Sequence, residues 1–148
     1  VIVNNGLAVD IRTYMTGEVF QLLSQKSLLA ASIGQTNNFE AFKHVFIDGV
    51  KFAQQNNFLN SIFFVRTNIL LNKLSPEENY YFMSGLVIGE ELKNILKTKV
   101  HIVGGIAMNK LYSCAIAAID PNTQINTVPA EQAIIRGQLK ILRNSGLL

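Results

Sequence analysis

Two adjacent glycines, Gly104 and Gly105, are the residues whose type and position most suggest a binding site. They stand between an apolar run at Val100–Val103, which predicts a buried strand, and a helical pattern at Ile106–Ile119. Glycines at such a corner let the chain turn sharply and let a ligand lie against bare backbone. The helix that follows offers unpaired amide groups and the positive end of its dipole, as nucleotide sites in α/β sheets do.

The same corner also has an ordinary interpretation as turn chemistry. It matches neither Gly-x-Gly-x-x-Gly nor the Walker pattern Gly-x-x-x-x-Gly-Lys-Ser/Thr, so neither nucleotide fingerprint applies. From the residues alone, a nucleotide corner and a plain turn both stay open.

A second candidate lies nearer the N-terminus, where Thr16, Gly17 and Glu18 precede a helical pattern from Val19 to Leu23. A threonine and a glycine at the start of a helix can hold an anion through free amide groups. Thr16 can also simply cap the helix with its hydroxyl group. The cap is the expected use, and the anion site is the alternative.

One charge, Arg66, stands inside Phe58–Leu71, which is apolar almost all round and predicts a buried helix. A charge there must be paired, solvated at an edge, or directed at an anionic ligand. Structural pairing is the expected use of Arg66.

Small residues mark a third candidate surface, on a long helix predicted from Pro76 to about Lys97. Ser75, Pro76 and the two glutamates that follow are strong N-terminal signals. Gly85 and Gly89 then leave a surface without side chains, at roughly 1 kcal/mol each relative to alanine. Either another helix or a ligand must approach that surface closely.

The other patterns complete an α/β architecture that is richer in helix than in strand. A hairpin is predicted around Asn4-Asn5-Gly6, and Asp120-Pro121-Asn122 predicts a turn. The remaining predictions are a helix from about Asn38 to Gln55 with its buried stripe at Phe39, Phe42, Phe46, Val50 and Ala53, a strand at Gln124–Val128, and a last helix from Pro129 to about Asn144 with Ala133, Gly137, Ile141 and Leu142 on its inner side.

The composition fits one domain of 148 residues, residues 1–148. Hydrophobic residues make up 49% of the chain and charged residues only 16%, below the roughly 25% of an average domain. Such a chain is expected to bury surface against a partner, another domain or another copy of itself. The net charge of +3 comes from scattered basic residues, so nucleic-acid binding is not indicated.

No targeting segment is visible, and the chain lacks an initiator methionine, so it reads like a piece of something longer. The longest apolar run is too short to cross a bilayer, and a soluble protein is expected. The one cysteine, Cys114, fits a reducing compartment and a small core position on a helix. No cluster has metal-ligand spacing, and the adjacent Glu90 and Glu91 would point about 100° apart, so they are no natural acid/base pair.

Several segments, in this order, resemble the C-terminal half of the 2-dehydro-3-deoxygalactonokinase family. They are Arg12–Phe20, Leu22-Leu23, Ser27–Leu29, Phe64–Thr67, Ser84–Leu92, Ile102–Gly105, and Glu131, Ala133 and Gly137 in the final helix. The chain departs from the family pattern at Lys26, where a histidine is expected, and before Glu131, where an acidic residue is expected. The strength of the resemblance lies in the ordered set.

The resemblance implies a ribonuclease-H-like, actin-like ATPase fold, in a cytoplasmic kinase of galactonate breakdown that uses ATP and Mg²⁺. This chain would be the nucleotide-side half of a two-domain enzyme, and the phosphate loops and the catalytic base would lie on the N-terminal half, so residues 1–148 alone would be inactive. Gly104 and Gly105 would form the turn beneath the adenosine, and Gly85 and Gly89 a second wall. Thr16, Gly17, Glu18 and, more weakly, Arg66 would face phosphate and sugar acid.

A different class of function also stays open. The low charge content and apolar surface favour a non-catalytic binding or assembly domain that keeps a kinase-like fold.

Overall fold

A computed structural model describes residues 1–93 and 99–146. Its elements are short strands and longer helices, with more helix than strand, as the sequence predicts. In chain order they are β1 (Ile2–Asn4), β2 (Leu7–Asp10), α1 (Thr16–Lys26), a 3₁₀ turn (Ala30–Ser32), α2 (Phe39–Gln55), α3 (Phe58–Leu70), α4 (Pro76–Leu92), β3 (Lys99–Gly104), α5 (Ile106–Ile119), β4 (Gln124–Pro129) and α6 (Ala130–Asn144).

The start of α4 follows from its sequence. The Ser75 hydroxyl accepts a hydrogen bond from the backbone N–H of Glu78 at 3.2 Å, and the Glu78 carboxylate accepts one from the N–H of Ser75 at 2.7 Å. This reciprocal pair satisfies two amides that would otherwise lack partners, and Pro76 fits the first turn because it has no N–H group. The predicted start is confirmed, whereas the predicted end near Lys97 lies outside the described residues.

Helices α2 and α4 approach each other closely because glycines remove side chains from their contact. A Cβ atom on Gly85 would overlap the carbonyl oxygen of Phe46, and one on Gly89 would lie 2.9 Å from the carbonyl oxygen of Val50. The reverse holds on α2, where a Cβ atom on Gly49 would overlap the backbone of Phe82. The bare surface of α4 is therefore covered by another helix, and the predicted buried stripe of α2 lies in this core.

Helix α3 buries one face and not its whole circumference, which corrects the expectation from its composition. Ile62 and Val65 are buried, whereas Phe63 and Leu59 are exposed. The reason is tertiary: α3 packs mainly on α4, so the opposite side has no neighbour among the described residues.

The strands form two separate sheets of two strands each. The strands β1 and β2 are antiparallel, and Asn5 and Gly6 make the predicted turn with φ of 48° and 79°. The strands β3 and β4 are parallel, with α5 as the connection between them. Alternate residues of β3 are exposed, so the predicted buried strand is buried on one face only; Val103 remains 57% exposed.

The last helix, α6, has no buried residue. The predicted inner side is wrong, because Ile141 is 69% exposed and Gly137 has nothing within 4 Å of a built Cβ atom. Its helical boundaries agree with the prediction to within one residue at the start.

The glycine contact predicts a strong effect on stability. Gly85→Ala should lower the free energy of unfolding by at least about 2 kcal/mol, because the new methyl group meets backbone that must move. Gly137→Ala is the matched control, since it adds the same methyl group to a helix in open space, and it should raise stability by up to about 1 kcal/mol. Urea unfolding measures both, and equal stabilities for the two variants would contradict the packing described.

Candidate functional site

Two neighbouring cavities lie beside the first turns of α1 and α5. The larger, of about 1020 Å³, lies between the first hairpin, β3 and α5, and the smaller, of about 540 Å³, lies between the start of α1, α4 and α5. Met108 in the first turn of α5 reaches both. The region therefore combines concave surface with two helix starts.

A carboxylate joins the three helices at this place. The hydroxyl groups of Thr16 on α1 and Tyr112 on α5 both donate to the same oxygen, Oε2 of Glu91 on α4, each at 2.5 Å. Hydrogen bonds to an ionised carboxylate are shorter and stronger than those between neutral groups. Glu91 and Tyr112 line the larger cavity and Thr16 lines the smaller one, so this group forms part of the wall between them.

The environment of Tyr112 keeps its phenol protonated. Burial raises the pKa of Tyr112 far above its usual value, and donation to the Glu91 carboxylate raises it further. The phenol therefore acts as a hydrogen-bond donor at neutral pH.

Aromatic rings form much of the smaller cavity. Phe20 meets Tyr80 edge-on with ring centroids 5.3 Å apart, and the Tyr81 hydroxyl donates to the carbonyl oxygen of Thr36 at 3.1 Å. Such a cavity can take a flat ring between apolar walls with polar groups at its rim.

Lys110 lines the smaller cavity, and its ammonium group already has an acidic partner. Lys110 forms an ion pair with Glu40 and lies 5.4 Å from the centre of the Phe39 ring. The hydrogen bond with Lys110 lowers the pKa of the exposed Glu40 carboxyl. The charge of Lys110 is thus partly compensated before any anion arrives.

The glycine corner between β3 and α5 has open space above it. Gly105 precedes the first residue of α5, and a Cβ atom built on it would meet nothing within 4 Å. Gly104 lines the larger cavity, and its carbonyl oxygen accepts a hydrogen bond from the Asn109 side chain at 3.1 Å. Bare backbone is therefore accessible at the start of α5.

Comparison with known proteins identifies the family. The sequence profile described as 2-keto-3-deoxy-galactonokinase matches residues 1–141. The chain belongs to this kinase family. It is 28% identical over 132 residues to a protein of Rhizobium meliloti (strain 1021) named "Probable 2-dehydro-3-deoxygalactonokinase DgoK1", a match that covers 84% of this chain and 42% of that protein.

Two further relatives agree. A 2-dehydro-3-deoxygalactonokinase of Escherichia coli (strain K12) is 32% identical over 116 residues, which cover 74% of this chain and 39% of that protein. A crystal structure from Sinorhizobium meliloti, assigned provisionally as a 2-dehydro-3-deoxygalactonokinase, superposes with a TM-score of 0.80 at 26% identity over 90% of this chain and 44% of that one. The chain spans about two fifths of the length of its curated relatives.

The family residues expected near phosphate and sugar acid separate in the structure. Thr16 and Gly17 line the smaller cavity, while Glu18, the next residue of α1, is exposed. Thr16 is not the expected cap, because Met15 occupies the cap position and makes no side-chain hydrogen bond. Arg66 lines neither cavity; its guanidinium donates to the Ser32 hydroxyl at 3.2 Å, which agrees with the structural use expected from the residues alone.

The family residues expected around the adenosine also separate. Gly104 and Gly105 lie at the open corner, and Gly105 is exposed at its edge. Gly85 and Gly89 do not form a second wall, because backbone and side chains of α2 occupy the space beside them. The residues of α4 that do line the smaller cavity are Tyr80, Tyr81, Ser84, Val87 and Ile88.

Glu91 and Tyr112 are the polar residues of the site that sequence patterns do not reveal. Thr16 and Glu91 lie 75 residues apart, so no local spacing connects them. The family segments include Glu91, but only the packing of α1 and α5 against α4 brings the three side chains together.

Across residues 1–93 and 99–146, no helix is long and apolar enough to cross a membrane. Within the same ranges, no three His, Cys, Asp or Glu side chains are grouped so that they could hold a metal ion. Cys114 is partly buried on α5, and burial raises the pKa of its thiol.

The pKa of Tyr112 predicts a loss of stability at alkaline pH. The folded state holds the phenolic proton more tightly than the unfolded chain, so the free energy of unfolding should fall as pH rises above about 10. Tyr112→Phe should reduce this slope by up to about 1.4 kcal/mol per pH unit. Urea unfolding at several alkaline pH values measures the slope, with the exposed Tyr14→Phe as the control, and an unchanged slope in Tyr112→Phe would disprove the assignment.

Proposed function

We propose that this chain supplies part of an enzyme that phosphorylates 2-dehydro-3-deoxy-D-galactonate on its terminal hydroxyl group, to the 6-phosphate, with ATP as the donor. The family match over residues 1–141 carries the proposal, and the names of the Rhizobium meliloti and Escherichia coli relatives support it. The reaction belongs to galactonate catabolism, and a cytoplasmic location follows from that role.

Residues 1–148 would form one domain, the C-terminal, nucleotide-side half of a two-domain kinase with a ribonuclease-H-like fold. The strand–helix–strand unit of β3, α5 and β4, with its parallel pairing, supports this topology, and so does the superposition on the Sinorhizobium meliloti structure. The rest of the enzyme would contribute the N-terminal domain and close over the substrates.

The adenosine of ATP would lie against the Gly104–Gly105 corner and extend into the smaller cavity. The smaller cavity has a volume of about 540 Å³, which falls within the usual range of roughly 300–1,000 Å³ for ligand pockets. Aromatic walls at Phe20 and Tyr80 suit a flat base, and the free amide groups at the starts of α1 and α5 suit phosphate. The described residues therefore fit the nucleotide.

The Mg²⁺ that kinases of this class use finds no ligand set here. No suitable group of acidic or histidine side chains exists among the described residues, so these side chains do not fit a bound metal of their own. When bound with ATP, Mg²⁺ neutralises phosphate charge. The residues in this chain bind and orient the nucleotide and shape the cleft.

A catalytic base is expected on the other half of the enzyme. Glu91 is the carboxylate in the wall between the cavities, but its Oε2 atom already accepts two short hydrogen bonds from hydroxyl groups. Those bonds occupy Oε2 and fix the carboxylate between the hydroxyl groups of α1 and α5. We therefore assign Glu91 a structural part in the site and expect the base for the sugar hydroxyl on the other half.

Gly105 offers a direct test of the nucleotide position. In the full-length enzyme, Gly105→Val should raise the KM for ATP at least tenfold and leave the KM for the sugar acid within about twofold, because the new side chain enters space that the protein leaves open. Gly137→Val adds the same side chain in the open surroundings of α6 and serves as the control. Unchanged ATP kinetics in Gly105→Val would refute this placement.

The isolated chain tests whether the catalytic base lies on the other half of the enzyme. Residues 1–148 mixed with ATP, Mg²⁺ and 2-dehydro-3-deoxygalactonate should form no 6-phosphate, while calorimetry should detect ATP binding. Product formed by this chain alone would refute the claim that the base lies elsewhere. Stable oligomers that bind no nucleotide would favour the assembly function instead.

A further inference from the structure

The first turn of α1 is held to the rest of the structure by the hydrogen bond of Thr16 to Glu91 and by the packing of the half-buried Val19 on the core. None of the eleven residues of α1 is buried, and its cap residue, Met15, makes no side-chain hydrogen bond. A helix start without a capping side chain is less stable by about 1 kcal/mol. The hydrogen bond from Thr16 to Glu91 therefore supplies polar attachment that the helix start does not receive from a capping side chain.

Glu91 belongs to the closely packed pair of helices α2 and α4. It lies in the last turn of α4, and Gly85 and Gly89 of α4 pack closely against α2. Close-packed helices of this kind resist displacement, so Glu91 is a firm anchor for a more weakly packed helix.

Tyr112 fixes the orientation of the same carboxylate from a third helix. Its hydroxyl donates to Oε2 of Glu91, and the helix on which it lies begins at the Gly104–Gly105 corner. One oxygen atom thus links the first turn of α1 to Tyr112, six residues after the first residue of α5. Because α5 is one continuous helix, this link also constrains its start, and the starts of α1 and α5 are the two places where the proposed nucleotide would meet free backbone amides.

We propose that Glu91 is a positioning residue for phosphoryl transfer, which holds the Thr16–Gly17 turn of α1 in register with the glycine corner of α5 through the hydroxyl groups of Thr16 and Tyr112. This role rests on the proposed kinase function. Displacement of a phosphate-contacting turn by about 1 Å can cost roughly 100-fold in rate even when the substrates still bind. Loss of the anchor should therefore affect kcat more than KM.

The test compares variants of the full-length enzyme. Thr16→Val and Glu91→Gln should each lower kcat about tenfold, with the KM for the sugar acid within twofold of wild type. Thr16→Ser restores the donor and should recover most of the rate lost in Thr16→Val. Ser24→Ala removes a hydroxyl on the same helix that donates a local hydrogen bond to the carbonyl oxygen of Gln21, and it should match wild type.

Two further measurements separate positioning from folding stability. The Thr16→Val/Glu91→Gln double variant should be no slower than the slower single variant, because both changes act on the same hydrogen bond between Thr16 and residue 91. Hydrogen exchange at Val19–Leu23 should speed up in Thr16→Val at a temperature where the protein remains folded. This readout does not depend on catalysis.

The outcomes are distinct. A kcat for Thr16→Val within twofold of wild type, with unchanged exchange, would overturn the positioning role while wild-type activity upholds the kinase function. A lower melting temperature with unchanged kcat would assign the contact to stability alone and overturn the role as well. No turnover by the wild-type enzyme would instead contradict the proposed function, and faster exchange would then show a tether without a part in this reaction.

Discussion

The close contact between α2 and α4 is the constraint on which the rest of the structure depends. Carbonyl oxygens of α2 lie where the side chains of Gly85 and Gly89 would otherwise be, so the two helices form a rigid pair. Helices α1 and α3 pack on α4, and α5 packs on both members of the pair. Each of these helices is therefore positioned relative to a common support, and the two cavities form where α1 and α5 diverge from it.

The Glu91 carboxylate is held in place by its position on α4. Glu91 lies at the end of the supported helix and receives hydroxyl groups from two others. A carboxylate beside apolar surface is costly unless its oxygens have donors, and Thr16 and Tyr112 supply them. The same contacts that stabilise the charge also define the wall between the cavities, which links the energetics of the carboxylate to the shape of the proposed nucleotide site.

The exposed apolar side chains agree with the composition of the chain. Large hydrophobic residues lie exposed on β2, α3 and α6, among them Val9, Phe63 and Ile134, as a low share of charged residues would suggest. The two-stranded sheets leave further strand edges without a partner among the described residues. The proposed two-domain enzyme would place other parts of the protein against some of this surface, which accounts for it without an assembly function.

The sequence by itself determined the local structure and the family. The capping box at Ser75, the Asn-Gly turn of the first hairpin and the apolar stripe of α2 are encoded in neighbouring residues, so their positions were predictable. The ordered family segments likewise include Gly104 and Thr16, which line the two cavities. Tertiary structure decided which faces are covered. One side of α3 is exposed, and α6 has no buried residue. Gly85 and Gly89 are used for helix packing. Tertiary structure also formed the Thr16–Glu91–Tyr112 group, because a contact across 75 residues depends on how helices pack and leaves no periodic signal in the chain.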